Sequence, residues 1–129
     1  MRIDFDSVKP VYVQIAEAIE DDIISGKLEE GSSAYSQLMI ARALQVNPAT
    51  AAKGINVLVS SGILAKQRGS TMIVAQGALA RLLNERKGKH IRHLIENLVL
   101  EANKVKLSEE DVLREIKRYY QSLEGKRNE

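Results

Sequence analysis

Cysteine is absent from this 129-residue chain, which excludes disulfides and thiolate metal sites and fits a reducing compartment. Residues 1–6, M-R-I-D-F-D, carry no apolar signal core, and no apolar run approaches the length of a membrane span, so a cytoplasmic location is expected. Internal repeats are lacking, as is low complexity outside the polar end G-K-R-N-E. No nucleophile, base and oxyanion constellation stands out, and no glycine-rich phosphate loop follows a strand, so an enzyme is not expected. His90 and His93 stand three apart on a helical stretch, but no third ligand has a convincing spacing, and neither a metal nor a cofactor is expected.

The most telling absence is local. Between residues 31 and 75 there is no Asp or Glu, while Arg42, Lys53, Lys66 and Arg68 give that segment a charge of +4. The net charge of +2 for the whole chain conceals this, because the acids lie elsewhere: Glu17, Glu20, Asp21 and Asp22, then Glu29 and Glu30, then the tail. In a protein of 28% charged residues, an acid-free segment suits approach to a polyanion, since carboxylates there would be repelled.

Within it, residues 47–61 read as a helix with a sharply set start. Asn47 is a good N-cap, and Pro48 occupies the first helical position, where its missing N–H costs nothing. Ala51, Ile55, Leu58 and Val59 recur at helical spacing and face a core, leaving Ala49, Thr50, Ala52, Lys53 and Asn56 outward. A preceding helix over residues 36–44, joined by Gln45-Val46-Asn47, completes the spacing of a helix-turn-helix. Gly62 then sits at a helix C-cap, and strands over 63–67 and 72–75 flank the turn Arg68-Gly69-Ser70-Thr71. The predicted fold is mainly α with a small β-wing: a winged helix-turn-helix over residues 1–76 and a helical tail over 77–129.

The first helix, over 11–25, carries the apolar stripe Tyr12, Ile15, Ala16, Ile19 and Ile23 and closes at Gly26. Its acids read either as repulsion that keeps it off DNA or as a solvated face. In the tail, helices over 78–86 and 90–106 meet at Lys87-Gly88-Lys89, a weak point because glycine inside a helix costs about 1 kcal/mol relative to alanine. Ser108 caps a last helix with Asp111 at the capping-box position. The stripe Ile91, Leu94, Ile95, Leu98, Val99 and Ala102, with Val112, Leu113, Ile116, Tyr119, Tyr120 and Leu123 on the last helix, exposes more apolar surface than a lone hairpin can cover. A homodimer seam through Ile91, Leu94, Ile95, Leu98 and Val99 is expected. The basic cluster over 86–93 reads as a phosphate contact or as a solvated helix surface.

In order along the chain, Pro10-Val11-Tyr12-Val13-Gln14-Ile15, Ser25-Gly26-Lys27-Leu28, Gly31, Ile40-Ala41, Leu44, Val46-Asn47-Pro48-Ala49-Thr50, Leu58, Ser61-Gly62-Ile63-Leu64 and Arg68-Gly69 resemble the head domain of the GntR family of bacterial transcription regulators. The Asn-Pro-x-Thr form and the short tail look most like its YtrA subfamily. The resemblance implies a dimeric repressor whose partner is a double-stranded DNA operator of two-fold symmetry, with half-sites about one helical turn apart. It implies a DNA-binding set of Ser36, Asn47, Ala49, Thr50, Lys53, Arg68 and Gly69, with Thr50 and Lys53 reaching phosphates or base edges and the wing tip approaching the minor groove. It also implies a signal-responsive tail, which leaves a small-molecule effector open as a partner. Three positions depart from the family pattern: Leu38 replaces an arginine that commonly contacts DNA, Ala52 an Arg or Gln, and Thr71 a second wing glycine. Leu38 is expected either in solvent near a phosphate or drawn into the core. Two other readings stay open, a winged helix that docks a protein and a small-molecule-binding helical dimer with a vestigial head.

Overall fold

The computed structural model describes residues 1–67, 69 and 72–127. Among these the elements run α1 (Val11–Ile24), α2 (Gln37–Leu44), α3 (Pro48–Ser60), β1 (Leu64–Lys66), β2 (Met72–Val74), α4 (Ala78–Glu85), a π-helical turn (Arg86–His90), α5 (Ile91–Lys104) and α6 (Glu109–Arg127). The chain forms two units, Met1–Glu85 and Arg86–Glu129.

The core of the first unit is built on the inner face of α1, where Ile15, Ala16, Ile19 and Ile23 recur every one to four residues and are all buried. Each fully buried aliphatic side chain contributes about 1.5–3 kcal/mol, so docking of this face, more than helix propensity, holds α1 in place. Gln14 secures the segment before it: Nε2 donates to the carbonyls of Asp4 and Lys9, both at 2.9 Å, and Oε1 accepts the Asp4 N–H at 2.8 Å. Ala51, Ile55 and Leu58 of α3 are buried, together with Ile40 and Ala41 of α2. The two helices therefore share a core with α1.

Where α1 crosses α3, the close approach depends on Gly54. A Cβ there would stand 2.9 Å from the Tyr12 carbonyl oxygen and 2.9 Å from Ile15 Cγ2, closer than side-chain carbons come without something moving.

β1 and β2 pair antiparallel in the register Leu64↔Val74, Ala65↔Ile73 and Lys66↔Met72. The strands are shorter than the sequence suggests, but the sheet gains an edge from an unexpected quarter. Residues 31–34 run along β2, with an antiparallel bridge Ser33↔Ile73. There Gly31 N–H donates to Val74 O at 2.8 Å, Val74 N–H to Ser32 O at 3.0 Å, and Ala34 N–H to Met72 O at 2.8 Å.

The boundary expected at 76/77 falls nine residues later. Ala78 and Leu82 of α4 are fully buried in the head core, so α4 belongs to the first unit. Glu30 Oε1 accepts the Leu79 N–H at 3.2 Å at the start of α4. Further along that helix, Arg81 donates to the carbonyls of Ser61, at 3.3 Å, and Gly62, at 3.0 Å, satisfying acceptors left open at the C-terminus of α3.

In the second unit the weak point at Lys87-Gly88-Lys89 is where α-helical bonding gives way to the π turn, a wider winding used mostly as a single-turn insertion. The capping box forms as expected: Asp111 N–H donates to Ser108 Oγ at 3.1 Å, and Ser108 N–H to Asp111 Oδ2 at 3.2 Å. These bonds, helped by Arg114 nearby, hold the Asp111 carboxyl below its ordinary range. Ala102 alone is buried among the described residues of this unit.

Candidate nucleic-acid interface

Both helices of the helix-turn-helix start on a side-chain cap. Ser36 Oγ accepts the Met39 N–H at 3.1 Å, and Asn47 Oδ1 accepts the Ala49 N–H at 2.8 Å. Capping uses only their acceptor side, and the Ser36 hydroxyl proton and the Asn47 amide NH2 remain as donors. Gln45, between the helices, adopts the left-handed conformation at φ 54°, which fixes how sharply the chain turns from α2 into α3.

The outward face of α3 is as the periodicity predicts. Ala49, Lys53 and Asn56 are exposed, and Thr50 and Ala52 are partly so. Lys53 is not extended into solvent: its Nζ stands 4.2 Å from the centre of the Tyr12 ring, within range of a cation–π attraction. A groove of ≈ 420 Å³ adjoins this face. It is lined from α2 by Leu38 with its cap Ser36, from α3 by Pro48, Ala52 and Asn56, and from the strands by Lys66 and Met72. Leu38 is 54% exposed, so it has not been drawn into the core.

On the wing, Gly69 is exposed at φ +82°, a conformation that side-chain-bearing residues adopt only at a cost. Arg68 and Thr71 lie outside the described residues. Behind α2, the Tyr35 hydroxyl donates to Asp22 Oδ2 at 2.6 Å. That bond to a carboxylate, reinforced by burial and by repulsion from the same charge, pushes the phenol up to about 12. Asp22, for which repulsion and a solvated face stood open, thus anchors the chain entering the helix-turn-helix. Glu17 pairs with Lys9 at 2.9 Å.

The sequence-predicted seam residues Ile91, Leu94, Ile95, Leu98 and Val99 all lie in α5 and are 42–54% exposed. Three residues that shape the head were missed. Tyr12 is expected from the sequence only as part of the α1 stripe, and neither Gly54 nor Arg81 has a role in the sequence reading. For Gly54 a signal was present, a glycine in mid-helix; for Arg81 there was none, because its partners lie about twenty positions away.

No model of a known protein family matches the chain. Over 119 residues it is 30% identical to the HTH-type transcriptional regulator YhcF of Bacillus subtilis, covering 92% of this chain and 97% of that one. Among solved structures it is similar to a GntR family transcriptional regulator from Listeria monocytogenes, with a TM-score of 0.73 and 27% identity, covering 88% of this chain and 98% of the other. The chain belongs to the GntR family of helix-turn-helix transcription regulators. Within this family it is also similar to YtrA from Sulfolobus acidocaldarius, with a TM-score of 0.56 and 25% identity, covering 96% and 99% of the two chains. The winged helix and the YtrA-like resemblance are thereby established as features of a GntR regulator. Against that family's pattern, Leu38 and Ala52 both line the groove beside α3. Two of the three departures therefore alter one surface rather than being scattered.

Proposed function

We propose that this GntR regulator acts as a homodimeric repressor, with α3 of each copy in the major groove of a two-fold DNA operator. The observation that carries the reading is the outward face of α3, capped, exposed and set inside a 45-residue segment, 31–75, without a carboxylate. In this reading the Ser36 hydroxyl and the Asn47 amide donate to phosphates, Thr50 and Lys53 reach phosphate or base edges, and Ala49 lets the helix end approach closely. Gly69, with Arg68 beside it in sequence, serves the minor groove.

Dimerisation is supported by the second unit's lack of a core of its own. Its helices bury only Ala102 among the described residues while Ile91, Leu94, Ile95, Leu98 and Val99 stand open, more apolar surface than a stable monomer leaves uncovered. A second copy covers both seams at once by two-fold symmetry. A small-molecule effector would act at this seam, the activity is binding rather than catalysis, and the site of action is the cytoplasm.

Sequencing of genome fragments retained by the purified full-length protein tests the DNA reading, and a two-fold consensus is expected. Sedimentation of Leu94→Glu/Leu98→Glu tests the seam: the variant should be monomeric, since an unpaired carboxylate in an apolar seam costs several kcal/mol. The exposed pair Leu38 and Met39 favours one other reading, a winged helix that docks a protein. Absence of any DNA enrichment at low salt would turn the balance to it.

A further inference from the structure

The groove beside α3 has an unusual donor set for a surface that meets DNA. Leu38, Pro48 and Ala52 give it an apolar side, and the amides of Gln37 and Asn56 flank it. Among the described residues that line it there is no arginine and no carboxylate. Guanine is read best by a bidentate arginine or lysine on O6 and N7, and cytosine by a carboxylate on its N4 amine. The one cation among the described lining residues is Lys66, on β1, placed away from α3 in the chain and suited to a phosphate.

What the groove does offer matches the other base pair. The thymine 5-methyl is the apolar projection of the major groove, and adenine presents the N6 donor and N7 acceptor that a side-chain amide can bond together. A leucine that is 54% exposed gains burial only when an apolar group comes to it. Charge complementarity brings DNA to this face, since residues 31–75 carry four cations and no acid.

We propose that this groove reads an A·T base pair in each half-site, seating the thymine methyl against Leu38, Pro48 and Ala52 while the Asn56 amide takes the adenine edge. The inference rests on the reading of α3 as a DNA-binding helix and adds to it which base is chosen and by which residues. The loss of the family's arginine at position 38 is then a change of specificity, from a charged contact to a methyl contact, and not a loss of contact.

The test uses duplexes recovered from a random-sequence pool by the full-length protein. Each thymine is replaced in turn by deoxyuridine, which removes the methyl and leaves pairing intact. At one thymine per half-site the replacement should weaken binding about fourfold, the effect of uncovering one methyl-sized group. With Leu38→Ala this penalty should disappear, and with Asn56→Ala the adenine preference at the same pair should relax. Both side chains are exposed, so the variants should fold as the parent does, and the deoxyuridine scan on the unaltered protein stands without them. Recovered duplexes in which no thymine responds to loss of its methyl overturn the inference alone, as does an undiminished penalty in Leu38→Ala. Failure to recover any duplex at low salt overturns the DNA reading, and the inference with it.

Discussion

Replacing Gly54 by alanine sets two known quantities against each other. Alanine in a helix interior is worth about 1 kcal/mol more than glycine, and α3 would gain it. The new Cβ would lie 2.9 Å from the Tyr12 carbonyl oxygen, 2.9 Å from Ile15 Cγ2 and 3.1 Å from Ile15 Cβ. Ile15 is fully buried and cannot swing aside, and the carbonyl belongs to the backbone of α1. Relief therefore requires the two helices to part, an overpacking that costs about 1–3 kcal/mol and loosens a contact among residues that are the deepest in the head. The overlap at a backbone atom puts the cost at the upper end, so the net effect is a loss of about 1–2 kcal/mol. For a unit of this size that lowers Tm by roughly 4–16 °C. Urea titration of Gly54→Ala should show a lower midpoint with an unchanged slope. Gly88→Ala supplies the contrast, because nothing lies within 4 Å of a Cβ at that position, and alanine there should be neutral or stabilising by up to about 1 kcal/mol. A Gly54→Ala protein that melts at or above the parent's temperature would refute the account of the α1–α3 crossing.

Tyr35→Phe should cost about 1 kcal/mol near neutral pH, a hydrogen bond to a carboxylate trimmed by partial exposure to solvent. Because the folded phenol is raised from 10.0 to about 12, the contribution is complete below pH 10 and fades as pH climbs towards 12; the parent and the variant should converge over that interval in melting experiments. Lys53→Ala should weaken operator binding and, if each copy loses one phosphate contact, reduce the slope of log K against log salt by about 2 per dimer. Tyr12→Leu, which leaves Lys53 charged but removes the ring beneath it, should weaken binding less and leave the slope unchanged; equal losses in both would show that the ammonium acts only when the ring positions it. Arg81→Ala should destabilise the head by about 1 kcal/mol through loss of a cation and two donors at the end of α3, read as a lower urea midpoint.

Local chemistry was legible along the chain. Asn47-Pro48 announces the start of α3 and Ser108 with Asp111 the start of α6, because a cap and its partner lie within three residues and need no tertiary information. The outward face of α3 could likewise be read from periodicity alone. What escaped was held together from a distance. Residues 31–34 carry no strand alternation and pair with β2 only because the fold delivers them to its edge. The end of the head at Glu85 could not be seen from composition, since Ala78 and Leu82 look like any tail helix until they meet the core. The partnership of Lys53 with Tyr12 joins two helices forty-one positions apart. In the candidate interface, residue types and faces were visible, while the groove that unites Leu38, Ala52 and Asn56 required the turn at Gln45 and the strands behind it.

The α3 helix is fastened at its start by Asn47, along its middle by the α1 backbone against Gly54, and at its end by Arg81 reaching from α4. A reading head clamped at three points behaves as a type slug: its letter is cast, and no signal arriving elsewhere can recut it. In the proposed dimer, control would therefore work on spacing, by setting how far apart and at what angle two such letters strike the double helix.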